Sequence, residues 1–102
     1  RLKFASPDGD AQRAVSVVGF CAGSGAELLG ASHANGCDLF VTGEMRHHEI
    51  LMALDRGIAV ILAGHTNSER GYLPRLAKRL ADEAPAGSFV VSEADRTPVR
   101  WV

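Results

Sequence analysis

"IAVILAGHTNSER", residues 58–70, holds the change of period on which the fold turns. Ile58 to Ala63 form a short apolar run rich in β-branched residues, the pattern of a strand buried on both faces. Gly64 interrupts it, and a polar segment with helical spacing follows. A buried strand that hands over to a helix at a glycine is the repeating junction of α/β proteins.

Working outward, the same junction recurs. "RAVSVVGF", 13–20, and "CDLFV", 37–41, read as two further strands. "GAELLGASHANG", 25–36, and "RHHEILMALDRG", 46–57, read as the helices that follow them. Ile50, Leu51 and Leu54 share one stripe of the second helix. Both helices stop at a glycine, Gly36 and Gly57, which tolerates the left-handed turn past a helix end. A helix between sequential strands is the crossover that parallel pairing requires. Leu73, Leu76, Ala77 and Leu80 mark a third helix ending before Pro85. Pro74 would be interior if that helix began at Thr66, so it starts nearer Arg70 or kinks there.

At the ends of the chain, "RLKFA", 1–5, with the turn "SPDGD", 6–10, predicts a hairpin leading into the strand at 13–20. "SFVV", 88–91, predicts a fourth core strand. "TPVRWV", 97–102, predicts an edge strand, where a proline is tolerated. The expected fold is a single α/β domain over residues 1–102: a mostly parallel sheet with helices covering it and antiparallel edge strands.

Composition narrows the function classes. Of 102 residues 46% are hydrophobic and 23% charged, the balance of a soluble globular domain. A chain of this size buries roughly 60–70% of its unfolded surface, enough for one core. The net charge of −1 gives no footing for nucleic acid or anionic membrane. No apolar run approaches the roughly 18 residues of a membrane span, and no signal-peptide pattern opens the chain. Two cysteines, Cys21 and Cys37, fit buried thiols in a reducing cytoplasm better than a disulfide framework. A first residue of Arg points to a processed chain or a piece of a longer one.

In an open parallel sheet the loops leaving the carboxyl ends of the strands share one edge, where ligands bind. Three loops qualify: "CAGSG", 21–25, "TGEMRHH", 42–48, and "GHTNSE", 64–69. They hold the unusual polar residues, and His33 alone among the histidines lies elsewhere. The glycines of the first suit either a tight strand-to-helix turn or close approach to an anion, but match no phosphate-loop, dinucleotide or nucleophile-elbow pattern. In the second, Thr42 is placed to cap a helix and Glu44 to complement its dipole. His47 sits on the apolar stripe at the rim, where the helix end favours a neutral ring. His48 points about a quarter turn away, so the two do not form a joint claw. In the third, Thr66 and Glu69 fit a capping box. His65 and Glu69, four apart on one helical face, can also serve as two ligands of one metal ion, though spacing alone favours the cap.

Taken together, "VSVVGFCAGSG", "DLFVTGEMRHHEI" and "VILAGHTNSERGYLPRLAKRL" closely resemble the carboxy-terminal part of the Nif-three-like family, whose members are often described as type 2 GTP cyclohydrolase I or dinuclear metal-centre proteins. The resemblance runs from about Arg13 to Leu80 with order and spacing intact. It implies a dinuclear metal site in a cleft between two α/β lobes, within ring-like homo-oligomers. It places two metal ligands on His65 and Glu69, with Glu69 able to bridge two ions. It makes Glu44 and one of His47 and His48 substrate-side candidates, with Glu44 and His48 taken for proton transfer or substrate contact. The family's remaining ligands, a histidine pair and an aspartate, belong to an amino-terminal lobe that this chain does not contain. The expectation is therefore a carboxy-terminal lobe, cytoplasmic, contributing to a two-ion hydrolase that acts on a nucleotide-like substrate and not catalytic alone. Gly23, Ser24 and Gly25 are placed to receive phosphate. Zinc, iron, manganese and magnesium all suit one histidine and one carboxylate. The competing expectation is a metal-binding scaffold or protein-interaction module without turnover.

Overall fold

The computed structural model describes residues 2–98. Strand β1 (Lys3–Ala5) is followed by β2 (Val18–Ser24), a 3-10 turn over Ala26–Leu28, and helix α1 (Leu29–Ala34). Then come β3 (Leu39–Glu44), α2 (His47–Asp55), β4 (Ala59–Leu62), α3 (His65–Arg70) and α4 (Leu73–Glu83). The strands form one sheet in the order β1-β4-β3-β2. β2, β3 and β4 are parallel, and β1 runs antiparallel along β4. The fold class is thus the expected α/β layer with an antiparallel edge. No helix among the described residues is long and apolar enough to cross a membrane.

Register divides the sheet into two faces. Phe40 pairs Val60 and Thr42 pairs Leu62, so these four side chains share the face that packs on Leu29 of α1, Ala53 of α2, and Cys37 and Ile58. Both crossover helices lie on this face and enclose the core. The opposite face carries the rows Val18–Leu39–Ala59 and Phe20–Val41–Ile61–Phe4. It is much more open: Val18 is 55% exposed, Phe20 65% and Phe4 44%.

Several expectations need correcting. The opening strand does not form a hairpin with the next one; it crosses to pair Phe4 with Ile61 of β4. The second strand starts at Val18 and not at Arg13, because the Asp38 carboxylate takes the Ser16 and Val17 N–H groups at 2.8 and 2.9 Å, leaving those donors to a side chain and not a ladder. It also runs on to Ser24, so most of "CAGSG" is strand. "SFVV" at 88–91 is not a strand. Phe89 and Val91 instead line an apolar groove with Leu73, Leu76, Ala77 and Leu80 of α4, while Val90 is 87% exposed. Of the edge strand expected at 97–102, residues 99–102 lie outside the described residues, and Thr97 and Pro98 are in no strand. Both cysteines are free thiols, Cys37 buried and Cys21 only partly so. The Pro74 conflict resolves into two helices: α3 ends at Arg70, and Pro74 falls in the first turn of α4, where its missing N–H costs nothing.

Candidate metal centre

The carboxyl ends of β2, β3 and β4 meet at one rim, and α3 lies across the ends of β2 and β3. Three backbone features allow this. Gly64 adopts φ +89°, a left-handed value that lets β4 turn directly into α3. Gly43 has no side chain where one is impossible: a Cβ there would lie 2.5 Å from the Gly23 carbonyl oxygen and 2.8 Å from the His65 Cα. Gly23, at φ +70°, shows its bare Cα to the His65 and Glu69 side chains, where a Cβ would sit 2.9 Å from Glu69 Oε1 and 3.3 Å from His65 Nε2.

On this base His65 stands between two carboxylates. Its Nδ1 is 2.8 Å from Glu44 Oε1, at the end of β3, and its Nε2 is 3.3 Å from Glu69 Oε1, one turn along α3. The Glu44 hydrogen bond raises the imidazole pKa above its ordinary 6.5; desolvation opposes this, and the charges of Glu69 and Glu44 reinforce it. The arrangement fits a divalent ion on the Nε2 side. Two ligand atoms each about 2.1 Å from a tetrahedral ion stand about 3.4 Å apart, close to the Nε2–Oε1 separation observed. A metal-binding histidine also characteristically donates its other N–H to a carboxylate, the role Glu44 is placed to fill. Glu44 lies across the ring from Glu69, so one ion on the Nε2 side cannot take all three. Among the described residues no group of three or more histidine, cysteine, aspartate or glutamate side chains is arranged to hold a metal.

The remaining candidates separate from this cluster. His48, in the first turn of α2, is exposed and makes no hydrogen bond or ion pair among the described residues, so it is not brought to Glu44 or His65. His47 lines an apolar pocket with Ile50, Leu51 and Leu54. Thr42 caps no helix. It is fully buried in β3 and donates to the Gly23 carbonyl at 3.1 Å; Glu49 instead accepts the Arg46 N–H at the start of α2. The capping box of Thr66 and Glu69 is also absent, because α3 begins at His65 with Gly64 as its cap, and Glu69 turns to the imidazole. Ser68 was missed by sequence reasoning altogether: its hydroxyl accepts the Gly23 N–H at 2.8 Å and donates to the His65 carbonyl at 2.7 Å. A serine inside a helix that already had caps to offer carries no signal for a bond to a strand 45 residues away.

A parallel α/β layer with an acid-flanked histidine at its carboxyl rim is the class that these features define. The family model of Duf34/NIF3 (NGG1p interacting factor 3) matches residues 2–98, and the chain belongs to that family. NIF3-like protein 1 of Mus musculus is 45% identical over 89 residues, covering 86% of this chain and 23% of the mouse protein. Protein NIF3 homolog of Schizosaccharomyces pombe is 41% identical over 90 residues, covering 83% of this chain and 31% of its own length. The chain thus spans roughly a quarter to a third of these relatives. The crystal structure of Staphylococcus aureus protein SA1388 shares the fold with a TM-score of 0.76 and 21% identity, over 100% of this chain and 33% of that one.

Proposed function

We propose that this chain contributes His65 and Glu69 to a divalent-metal centre of a hydrolase acting on a nucleotide-like substrate, with further ligands coming from outside the 102 residues. The observation that carries this reading is the 3.3 Å approach of His65 Nε2 and Glu69 Oε1 over the bare Cα of Gly23. Glu44 accepts the Nδ1 proton and so presents the Nε2 lone pair toward Glu69. Gly23 leaves the space in front of both donors unfilled. A divalent ion held there would supply a Lewis acid and an activated water, the ordinary contribution of such ions to hydrolysis. Glu44, exposed at the same rim, is the group that this reading assigns to take a proton from substrate. GTP, the substrate that the family resemblance suggests, is the first nucleotide to assay. The resemblance also suggests two ions and a homo-oligomer, and both belong to this reading.

Elemental analysis of the purified protein tests the ligands. Zinc, iron or manganese uptake should fall sharply in His65→Ala and in Glu69→Gln, each compared with wild type at equal fold content by circular dichroism. Equal uptake by either variant removes that residue from the site.

A second reading has its own support. The open face bearing Val18, Phe20 and Phe4 offers an apolar surface for a protein partner, and a Saccharomyces cerevisiae relative is named NGG1-interacting factor 3. Under this reading the chain is an interaction module without turnover. GTP hydrolysis or ring opening by wild type, lost in Glu69→Gln, decides for the enzyme; loss of a partner on Phe20→Lys without loss of metal decides for the module.

A further inference from the structure

Nothing in helix α3 explains why it stays where its two proposed ligands require it. It has six residues and no side-chain cap at its amino end, and helices this short have negligible stability of their own. Its position must come from what it touches. Besides the Glu44 bond to His65 from β3, the polar link to β2 is Ser68, on the turn between His65 and Glu69. Its one hydroxyl accepts the Gly23 N–H of β2 at 2.8 Å and donates to the His65 carbonyl at 2.7 Å. The Gly23 carbonyl is held in turn by the Thr42 hydroxyl of β3 at 3.1 Å, with Thr42 fully buried. Both backbone groups of Gly23 are therefore bound by hydroxyls, one from α3 and one from β3. Steric contact closes the same joint: a Cβ at Gly43 would come 2.6 Å from Ser68 Oγ and 2.8 Å from the His65 Cα.

We infer that Ser68 is a positioning residue that locks α3 to β2 through Gly23 and so sets the place of His65 and Glu69 over the Gly23 Cα; its effect on metal rests on the functional reading above. The bond to the His65 carbonyl is a local one that a serine makes in many helices. The bond to Gly23 is not local, since 45 residues separate the two. This longer bond fixes how far α3 sits from the strand whose bare Cα faces the two donors. Removing it leaves both ligands in the chain but loosens the distance between them and the rim. Groups that orient metal ligands without touching the ion commonly change affinity by about 10–100-fold when removed.

The test compares wild type with Ser68→Ala and Ser68→Thr in the full-length protein, with Asn67→Ala as a control that removes only the bond from Asn67 Nδ2 to the Ala63 carbonyl. Three readouts are needed: hydrogen exchange at the Gly23 amide, the NMR signal of the His65 Nδ1 proton in metal-free protein, and zinc affinity by competition with a chelating dye. Ser68→Ala should speed Gly23 exchange, shift or broaden the His65 signal, and weaken zinc by about 10-fold or more. Ser68→Thr should restore all three, and Asn67→Ala should leave all three near wild type. An unchanged Gly23 amide in Ser68→Ala overturns the lock. A changed amide with unchanged zinc affinity overturns its bearing on the ligands. If wild type itself takes up no zinc, the metal reading fails, and the His65 signal then decides alone: unchanged in Ser68→Ala, it overturns the positioning role; changed, it upholds it.

Discussion

Glu44 and Gly23 govern the chemistry of His65 from opposite directions, one by charge and one by leaving space. Because the Glu44 hydrogen bond is the first cause of the raised imidazole pKa, Glu44→Gln should lower the His65 pKa, as followed by NMR titration of the ring. The sign of the linkage is definite. A folded pKa above the ordinary 6.5 means that the folded chain holds this proton more tightly than the unfolded chain does. The stabilisation from His65 in metal-free protein is therefore complete below about pH 6.5 and is lost as the pH rises through the folded value. Metal competes with the same proton, so uptake at this position should strengthen over that same rise. Gly23→Ala should be penalised twice, by about 1–2 kcal/mol for a side chain at a left-handed φ and by the clash with Glu69 Oε1. A chemical denaturation curve reads the first, and loss of metal affinity reads the second.

Individual elements show what the sequence makes legible and what it hides. The three parallel strands and the helices between them follow from apolar runs and glycine stops, and all are present near their expected places. The rim cluster was legible in part. That three strand ends carry polar residues follows from topology, and the pairing of His65 with Glu69 follows from helical spacing. The contact between His65 and Glu44 depends on strand order and on the tight fit at Gly43, neither of which spacing encodes. The hairpin expectation failed because local turn chemistry at "SPDGD" says nothing about which strand the returning chain meets. "SFVV" failed because β propensity describes a fit to a pleated surface, and residues 88–91 instead lie along the apolar stripe of α4 while remaining exposed. The start of β2 at Val18 depends on Asp38, whose carboxyl is held below its ordinary 3.8 by the Ser16 and Val17 N–H groups. A lowered folded pKa stabilises above about 3.8 and is lost as the pH falls through the folded value, so Asp38→Asn should flatten the acid limb of the stability profile.

For the molecule as a whole, the sheet is an asymmetric layer with one enclosed face and one open face. Phe40, 1% exposed at the centre of the enclosed face, is the residue whose loss should matter most to folding. Phe40→Ala should cost about 3–5 kcal/mol in the denaturant midpoint analysis. Phe20 has the opposite role: Phe20→Lys should leave the melting temperature nearly unchanged while reducing light scattering at rising protein concentration. The joint at Gly23 also determines when the imidazole reaches its seat. Its supports come from Gly23, Glu44 and Ser68, chain segments that meet only after two crossovers are complete. No partly folded species with a frayed sheet can reproduce that environment, so the ring proton of His65 serves as an internal gauge of finished assembly, visible in a spectrum before any assay is run.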